Sequence, residues 1–356
     1  MSKRILITGG AGFVGSSLAL SLKKAYPTYQ IWCLDNLRRK GSELNLPRLA
    51  AAGIDFVHGD IRNPEDFQGV PDVDVVIEAS AEPSVLAGIQ GGTPDYLIHT
   101  NLLGTVHCLN YAVKCKAQFI FLSTSRVYPI KTIEKLSFTE EETRFGLTEN
   151  QPVPGVSHLG IAEDFPLEGA RSLYGTTKLS SELLIQEYQE FYGLQTVINR
   201  CGVLTGPWQM GKVDQGVMVL WIAKHYFDKS LAYIGYDGLG KQTRDVLHVD
   251  DLYRLIDWQM HHMDQINGEI FNVGGGQKVS VSLQELTEIC QRVTGKTIPI
   301  RRELENRPAD IRLYLTDNSK VTRMTGWEPQ IGVEQIVQEI TDWIRANEAA
   351  LAPILS

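Results

Sequence analysis

Tyr174 and Lys178 stand four residues apart in Tyr174-Gly175-Thr176-Thr177-Lys178, at the start of an amphipathic pattern running from 174 to 192. On a helix that spacing sets both side chains on one face, one turn apart. A free phenol ionises near pH ~10, but a neighbouring ammonium favours the phenolate. Such a phenolate can take the proton of a hydroxyl while a hydride leaves the same carbon. Ser123-Thr124-Ser125-Arg126-Val127-Tyr128 follows the apolar run Phe119-Ile120-Phe121-Leu122. One hydroxyl of that cluster could bond the reacting oxygen opposite Tyr174, although the cluster also fits a hydroxyl-capped turn at a strand exit.

Hydride chemistry needs an acceptor, and a site for one stands at the N-terminus. Gly9, Gly12 and Gly15 lie in Ile5-Leu6-Ile7-Thr8-Gly9-Gly10-Ala11-Gly12-Phe13-Val14-Gly15, between an apolar run and an amphipathic one. Such a turn lets backbone approach a pyrophosphate while the helix start at Phe13 and Val14 offers unpaired N–H groups. Twenty residues beyond Gly15, Asp35 ends the second apolar run and can accept from a ribose diol, which favours NAD over NADP. Arg38-Arg39-Lys40 reads either as a phosphate clamp or as a solvated basic loop, and Asp60 either as an adenine contact or as a turn aspartate.

These residues need a scaffold. Apolar runs at 4 to 8, 30 to 34, 54 to 58, 73 to 77, 117 to 122 and 195 to 200 alternate with helical patterns such as 12 to 26, 100 to 115 and 174 to 192. Continuous apolar strands separated by helices predict an α/β fold of the Rossmann type, a doubly wound parallel sheet. A smaller C-terminal α/β domain follows. The expected division is an NAD-binding domain over 1–200 with an insert at 129–172, then a mainly substrate-binding domain over 201–356 with segments returning to the first. The acidic stretch Thr132 to Arg171 is too long for an ordinary connection and is expected to be functional or mobile. Helices are expected from Leu283 to Thr294 and from about Gly332 to Ala346.

The 356 residues carry 34 Lys+Arg against 42 Asp+Glu, a net charge of −8, which excludes nucleic-acid or membrane-surface binding by charge. With 43% hydrophobic and 21% charged residues the chain is globular. Its five cysteines are scattered, without a C-x-x-C pair or a histidine cluster, so no metal site is expected. They read as buried thiols in a reducing compartment, and with no signal-peptide core and no membrane span a cytoplasmic location is expected.

In sequence order these motifs resemble the extended short-chain dehydrogenase/reductase family, the NAD-dependent sugar-nucleotide epimerases and dehydratases. The resemblance runs through Gly9, Gly12 and Gly15, Asp35-Asn36, Asp60-Ile61, Asn101-Leu102-Leu103-Gly104-Thr105, the 123 to 128 segment, Tyr174 with Lys178, and Arg244-Asp245-x-x-His248-Val249-x-Asp251. It implies that Thr124, Tyr174 and Lys178 are catalytic. NAD would be held by Gly9, Gly12, Phe13, Val14, Gly15, Asp35, Asn36, Arg39, Asp60, Ile61, Ala79, Asn101, Tyr174 and Lys178. The substrate, a CDP-linked or other nucleotide-linked deoxyhexose, would meet Thr124, Gln209, Gln215, Arg244 and Arg307.

Family dehydratases follow the catalytic hydroxyl with an Asp-Glu pair; here Ser125-Arg126 stands instead. The segments 124–128 with Glu141-Glu142-Thr143-Arg144, 206–216 and 240–248 are similar to the branch that epimerises C2 of CDP-linked 3,6-dideoxyhexoses, and Asp214-Gln215-Gly216 is the most specific element. Pro129, Val203 and the histidine-free Ala79-Ser80-Ala81 depart from the family pattern. A UDP-hexose 4-epimerase or a non-catalytic NAD-binding sensor are the competing expectations. Relatives pair helices like 100 to 115 and 174 to 192, so a homo-oligomer is expected, although Leu179, Leu183, Leu184 and Tyr188 would equally cover the sheet. His248 is expected to be structural, and Tyr128 and Trp208 to pack.

Overall fold

Apolar runs with no polar face must be covered on both sides, and the first, Arg4–Thr8 (β1), is buried at every position after Arg4. The computed structural model describes residues 2–88, 93–211 and 216–356. Beside β1 lie Gln30–Asp35 (β2), Asp55–His58 (β3), Val75–Glu78 (β4), Gln118–Thr124 (β5), Thr196–Cys201 (β6) and Glu269–Val273 (β7). They form one sheet in the order β7-β6-β5-β4-β1-β2-β3. The pairs β1–β2, β2–β3, β1–β4 and β4–β5 are parallel. The chain steps outward from β1 to β3 and then restarts on the other side at β4. That reversal opens a crevice at the carboxyl ends of β1 and β4, where doubly wound sheets bind ligands.

Three helices bear on the site: Phe13–Ala25 (α1), Gly104–Cys115 (α2) and Leu173–Tyr192 (α3). Ser172 caps α3 by accepting from the Gly175 N–H at 3.1 Å, and Gly193 ends it in the left-handed region at φ 66°. Leu109 and Ala112 of α2 and Ile185 of α3 pack with Leu6, Val76, Phe119, Phe121 and Ile198 of the sheet. A π-helical turn, His99–Leu103, precedes α2 and carries Asn101. Such turns recur at functional sites because the bulge re-aims a side chain.

The chain divides into two compact units, and not at one point along the sequence. The first comprises Met1–Val127, Ser172–Arg200 and Leu252–Phe271; the second comprises Tyr128–Arg171, Cys201–Asp251 and Asn272–Ser356. The insert expected within the first domain thus belongs to the second unit. It is stitched there by backbone: the Phe145 N–H donates to Lys241 O at 3.0 Å, and Ile161 N–H to Leu315 O at 2.8 Å. Arg144 adds paired bonds to Glu285 and two to Ser280, one to its hydroxyl and one to its carbonyl oxygen. A segment whose acidic, Pro-bearing sequence predicts a loop is held because another part of its own unit supplies the strand edge.

Helices Leu283–Thr294 and Val333–Ala346 match their expected bounds, the former through a Ser282/Glu285 capping box. Cys33, Cys108, Cys201 and Cys290 are buried free thiols and Cys115 is half-buried. Among the described residues no helix is long and apolar enough to cross a membrane.

Candidate functional site

The glycines of the first turn are dictated by crowding. Gly9 has φ 64°, and a Cβ on it would lie 2.9 Å from Ala79 O, so the turn rests directly on the end of β4. A Cβ on Gly15 would come within 2.2 Å of Gly9 O. Gly12 is the N-cap of α1 and brings no side chain to bond the first-turn N–H groups, so those of Phe13, Val14 and Gly15 head the helix without a side-chain cap. A backbone cradle that a methyl group would fill, at a helix N-terminus and at the sheet reversal, fits a dinucleotide pyrophosphate.

Asp35 is nearly buried and accepts from the N–H groups of Ala11 at 3.1 Å and Leu37 at 2.8 Å. Burial pushes its pKa up, while the N–H groups of Leu37, Ala11 and Gly12 pull the other way. A carboxylate accepts about four hydrogen bonds, which leaves capacity for a ribose diol. Asp60 takes the turn role. Its Oδ1 accepts from Arg62 N–H at 3.0 Å and its Oδ2 from the Arg62 guanidinium at 2.6 Å and the Asn36 amide at 2.8 Å. Burial opposes its ionisation, but the Arg62 and Asn36 bonds prevail and hold it at about 2.

Ile61 turns its side chain into the core against Gly104, where a Cβ would be 2.5 Å away. Arg39 is half-buried, and the neighbouring Arg38 guanidinium stacks 3.8 Å from the Tyr96 ring centre. The structure gives Asn101 a task the spacing did not predict. Its amide exchanges bonds with the Glu82 backbone at 2.8 and 3.0 Å and reaches Thr177 at 3.3 Å, tying the loop after β4 to α3.

Thr124 ends β5, and its hydroxyl oxygen accepts from the Arg126 N–H at 3.2 Å. The turn reading and the chemical one therefore coincide, because that bond uses a lone pair and leaves the O–H to donate. Tyr174 is half-buried in the first turn of α3, where the helix dipole favours a phenolate. Lys178 is 1% exposed, its ammonium 3.8 Å from the centre of the Phe121 ring.

One turn further on α3, Glu182 accepts from Arg200 at 2.7 Å and from the Ser123 hydroxyl in a very short bond, all three groups buried. This trio locks the strand that carries Thr124 to the helix that carries Tyr174. The pair Glu182 and Arg200 escaped the sequence reading. Its signal was the continuation of the Tyr174, Lys178 stripe by one more turn.

Of the residues expected to meet the substrate, Thr124 lies in the first unit and Gln209, Arg244 and Arg307 lie in the second. Arg244 bonds Asp310 at 3.0 Å and the carbonyls of Thr243 and Ile311. Gln209 is held by Thr205 at 3.1 Å and Leu204 O at 3.0 Å. Arg307 is half-buried, its carbonyl accepting from Asp310 N–H. Gln215 lies outside the described residues. Asp245 sits against Gly274, where a Cβ would be 2.1 Å from its Oδ2, and accepts from Gly276 N–H at 3.1 Å. Burial lifts its pKa to about 6 against the bonds from Thr316 and Gly276. His248 is buried with Nδ1 accepting from Asp250 N–H. Tyr128 packs on Phe165 and bonds Asn272, and Trp208 packs on Trp343.

Residues 5–274 match the NAD dependent epimerase/dehydratase family. The chain is 31% identical over 358 aligned positions to the CDP-paratose 2-epimerase of Salmonella typhi, covering 96% of this chain and 98% of that one. Among solved structures it is similar to a dTDP-glucose 4,6-dehydratase of Streptomyces venezuelae with NAD bound, at 28% identity, TM-score 0.78 and 99% coverage of both chains. It is similar also to the UDP-glucuronic acid 4-epimerase of Bacillus cereus in complex with UDP-glucuronic acid and NAD, at 25% identity and TM-score 0.78, covering 96% of this chain and 99% of that one. The glycine cradle, the sheet reversal above it and these full-length likenesses together make the chain a member of the NAD-dependent epimerase/dehydratase family, with NAD as its cofactor.

Proposed function

We propose that the protein is an isomerase that inverts C2 of CDP-paratose to give CDP-tyvelose through a keto sugar. The observation that carries this reading is a Thr124, Tyr174 and Lys178 set in one unit with Ser125-Arg126 in the place of an eliminating acid–base pair. The 31% identity to a CDP-paratose 2-epimerase supports the choice of sugar. UDP-hexose 4-epimerisation would use the same three residues and is the competing outcome.

NAD would be held by the 9–15 turn, with Asp35 on its adenosine ribose and Lys178 on its nicotinamide ribose. The chemistry it supplies when bound is reversible acceptance of hydride. Tyr174, ionised by the helix N-terminus and the Lys178 ammonium, takes the proton of the sugar hydroxyl as the adjacent C–H is broken, and returns it when the bond is remade on the other face. Thr124 donates to the same oxygen and stabilises its growing charge. Arg244 and Arg307 would neutralise the nucleotide diphosphate, with Gln209 and Gln215 on sugar or base. We further propose a homo-oligomer built on α2 and α3. Leu184 and Tyr188 pack on the core, but Leu183, Phe191 and Tyr192 are exposed on α3, 57%, 75% and 64% respectively.

The test is a proton NMR time course with CDP-paratose in D2O. CDP-tyvelose appearing with protium retained at C2 is the expected result. Deuterium at C2 would overturn the hydride mechanism, and no conversion, with turnover of a UDP-hexose, would move the reaction to C4.

A further inference from the structure

Beneath the catalytic helix lies a second ionisable group that the chemistry above does not use. Glu78 ends β4, is wholly buried, and stands in register with Phe121 of β5. Register-matched neighbours project to the same face of a sheet. The Phe121 ring that supports the Lys178 ammonium at 3.8 Å is therefore flanked by the Glu78 carboxyl. Oε1 of Glu78 accepts from the Thr105 hydroxyl at 2.7 Å, while Oε2 is buried without a hydrogen-bond partner among the described residues. A buried carboxyl with one orphaned oxygen is disfavoured in its charged form unless a cation stands close.

We propose that Glu78 is a positioning residue for Lys178, a carboxyl in the floor of the site whose ionised form holds the ammonium on the sheet face and whose protonated form releases it. The proposal rests on the reading of Lys178 as the partner of the Tyr174 phenol. The groups facing Glu78 are Thr8 from β1, Thr105 and Cys108 from α2, Phe121 from β5 and Lys178 from α3. Lys178 is the one among them that carries charge, since burial and Glu78 itself push the Cys108 thiol far up and keep it neutral. Burial raises the Glu78 carboxyl to about 7, with the Lys178 ammonium and the Thr105 hydroxyl restraining the rise. The device thus switches near neutrality, with the attraction between carboxylate and ammonium present above that pH and lost below it.

Carboxyl NMR of NAD-loaded protein carrying 13C at the glutamate side-chain carbonyl tests this without turnover. The Glu78 resonance is identified by its absence in Glu78→Gln. It is expected to titrate near 7, to move up by a unit or more in Lys178→Met, to stay in Lys178→Arg, and to move up in Thr105→Val. Titration at the ordinary glutamate value, or no response to Lys178→Met, overturns the pairing. If Lys178→Met does not fold, Lys178→Gln decides the same point, because a midpoint indifferent to loss of the ammonium also overturns the pairing.

In turnover, kcat is expected to fall as pH drops through about 7. Glu78→Gln is expected to lose that limb and to run about tenfold slower at pH ~8. An unchanged limb in Glu78→Gln overturns the positioning role. Failure to convert CDP-paratose sinks the substrate reading instead and leaves the NMR result to judge Glu78.

Discussion

Replacing one partner of the Glu182 and Arg200 pair separates what holds the unit together from what aligns its chemistry. The two side chains are 1% and 4% exposed, so Glu182→Gln leaves a guanidinium, and Arg200→Met a carboxylate, without its counter-charge in the interior. Breaking a buried pair on one side costs about 3–5 kcal/mol. For a unit of this size each kcal/mol lowers the melting temperature by about 2–4 °C, so each single variant should melt about 6–20 °C lower. Replacing both at once, Glu182→Leu with Arg200→Met, removes the desolvated charges together and should recover most of that loss.

Turnover is expected to behave otherwise. The trio with Ser123 is what ties the β5 end to α3. Without it the β5 end and α3 are held less tightly, and a misplacement of Thr124 against Tyr174 by about 1 Å costs about a hundredfold in rate. Circular dichroism melts and the NMR turnover assay on the three variants supply the comparison. Single variants that melt within 2 °C of wild type, or a double variant with wild-type kcat, would refute the reasoning.

Tyr174→Phe should retain NAD, assayed as nucleotide released on denaturation, while kcat falls about 10²–10⁴-fold; unchanged turnover would remove Tyr174 from the chemistry. Gly15→Ala puts a methyl into the Gly9 carbonyl, 2.2 Å away. It should cost about 1–3 kcal/mol and about tenfold or more in NAD affinity by calorimetry, and wild-type affinity would show that the cradle has room. Asp245 has its native pKa raised from 3.8 to about 6 by burial. A carboxyl raised in this way penalises the folded state as pH climbs through that window, by about 3 kcal/mol once fully ionised. Asp245→Asn should therefore gain in melting temperature relative to wild type between pH ~4 and ~7; a constant difference would mean that Asp245 does not titrate there.

The residues legible in the sequence share one trait, that their geometry is local. Gly9, Gly12 and Gly15 occupy one turn, and Tyr174 and Lys178 one face of one helix, so spacing alone implies their relation. The apolar runs marked β1 to β6 within a residue or two, because strands such as β1, β4 and β5 that are buried along most of their length read as near-continuous apolar runs. Even the turn bond of Thr124 was legible, since its acceptor and donor are two residues apart.

What tertiary structure decided are the partnerships between residues far apart in the chain. No local motif marks Glu78, Glu182 or Arg200, yet all three are buried. Glu182 and Arg200 compensate each other, and Glu78 meets Thr105. Arg244 reads from sequence as a diphosphate ligand or as the ion-pair partner of Asp245 or Asp310, and it is the fold that sets it on Asp310, 66 residues on. Likewise the acidic insert carries only strand pairs of two or three residues of its own, and it is held by bonds to the 241–243 and 315–317 segments of its unit. Burial and long-range pairing depend on which elements come to lie side by side. No local pattern carries that information, whereas the turn and the helix face that bear the chemistry are complete within a few residues of chain.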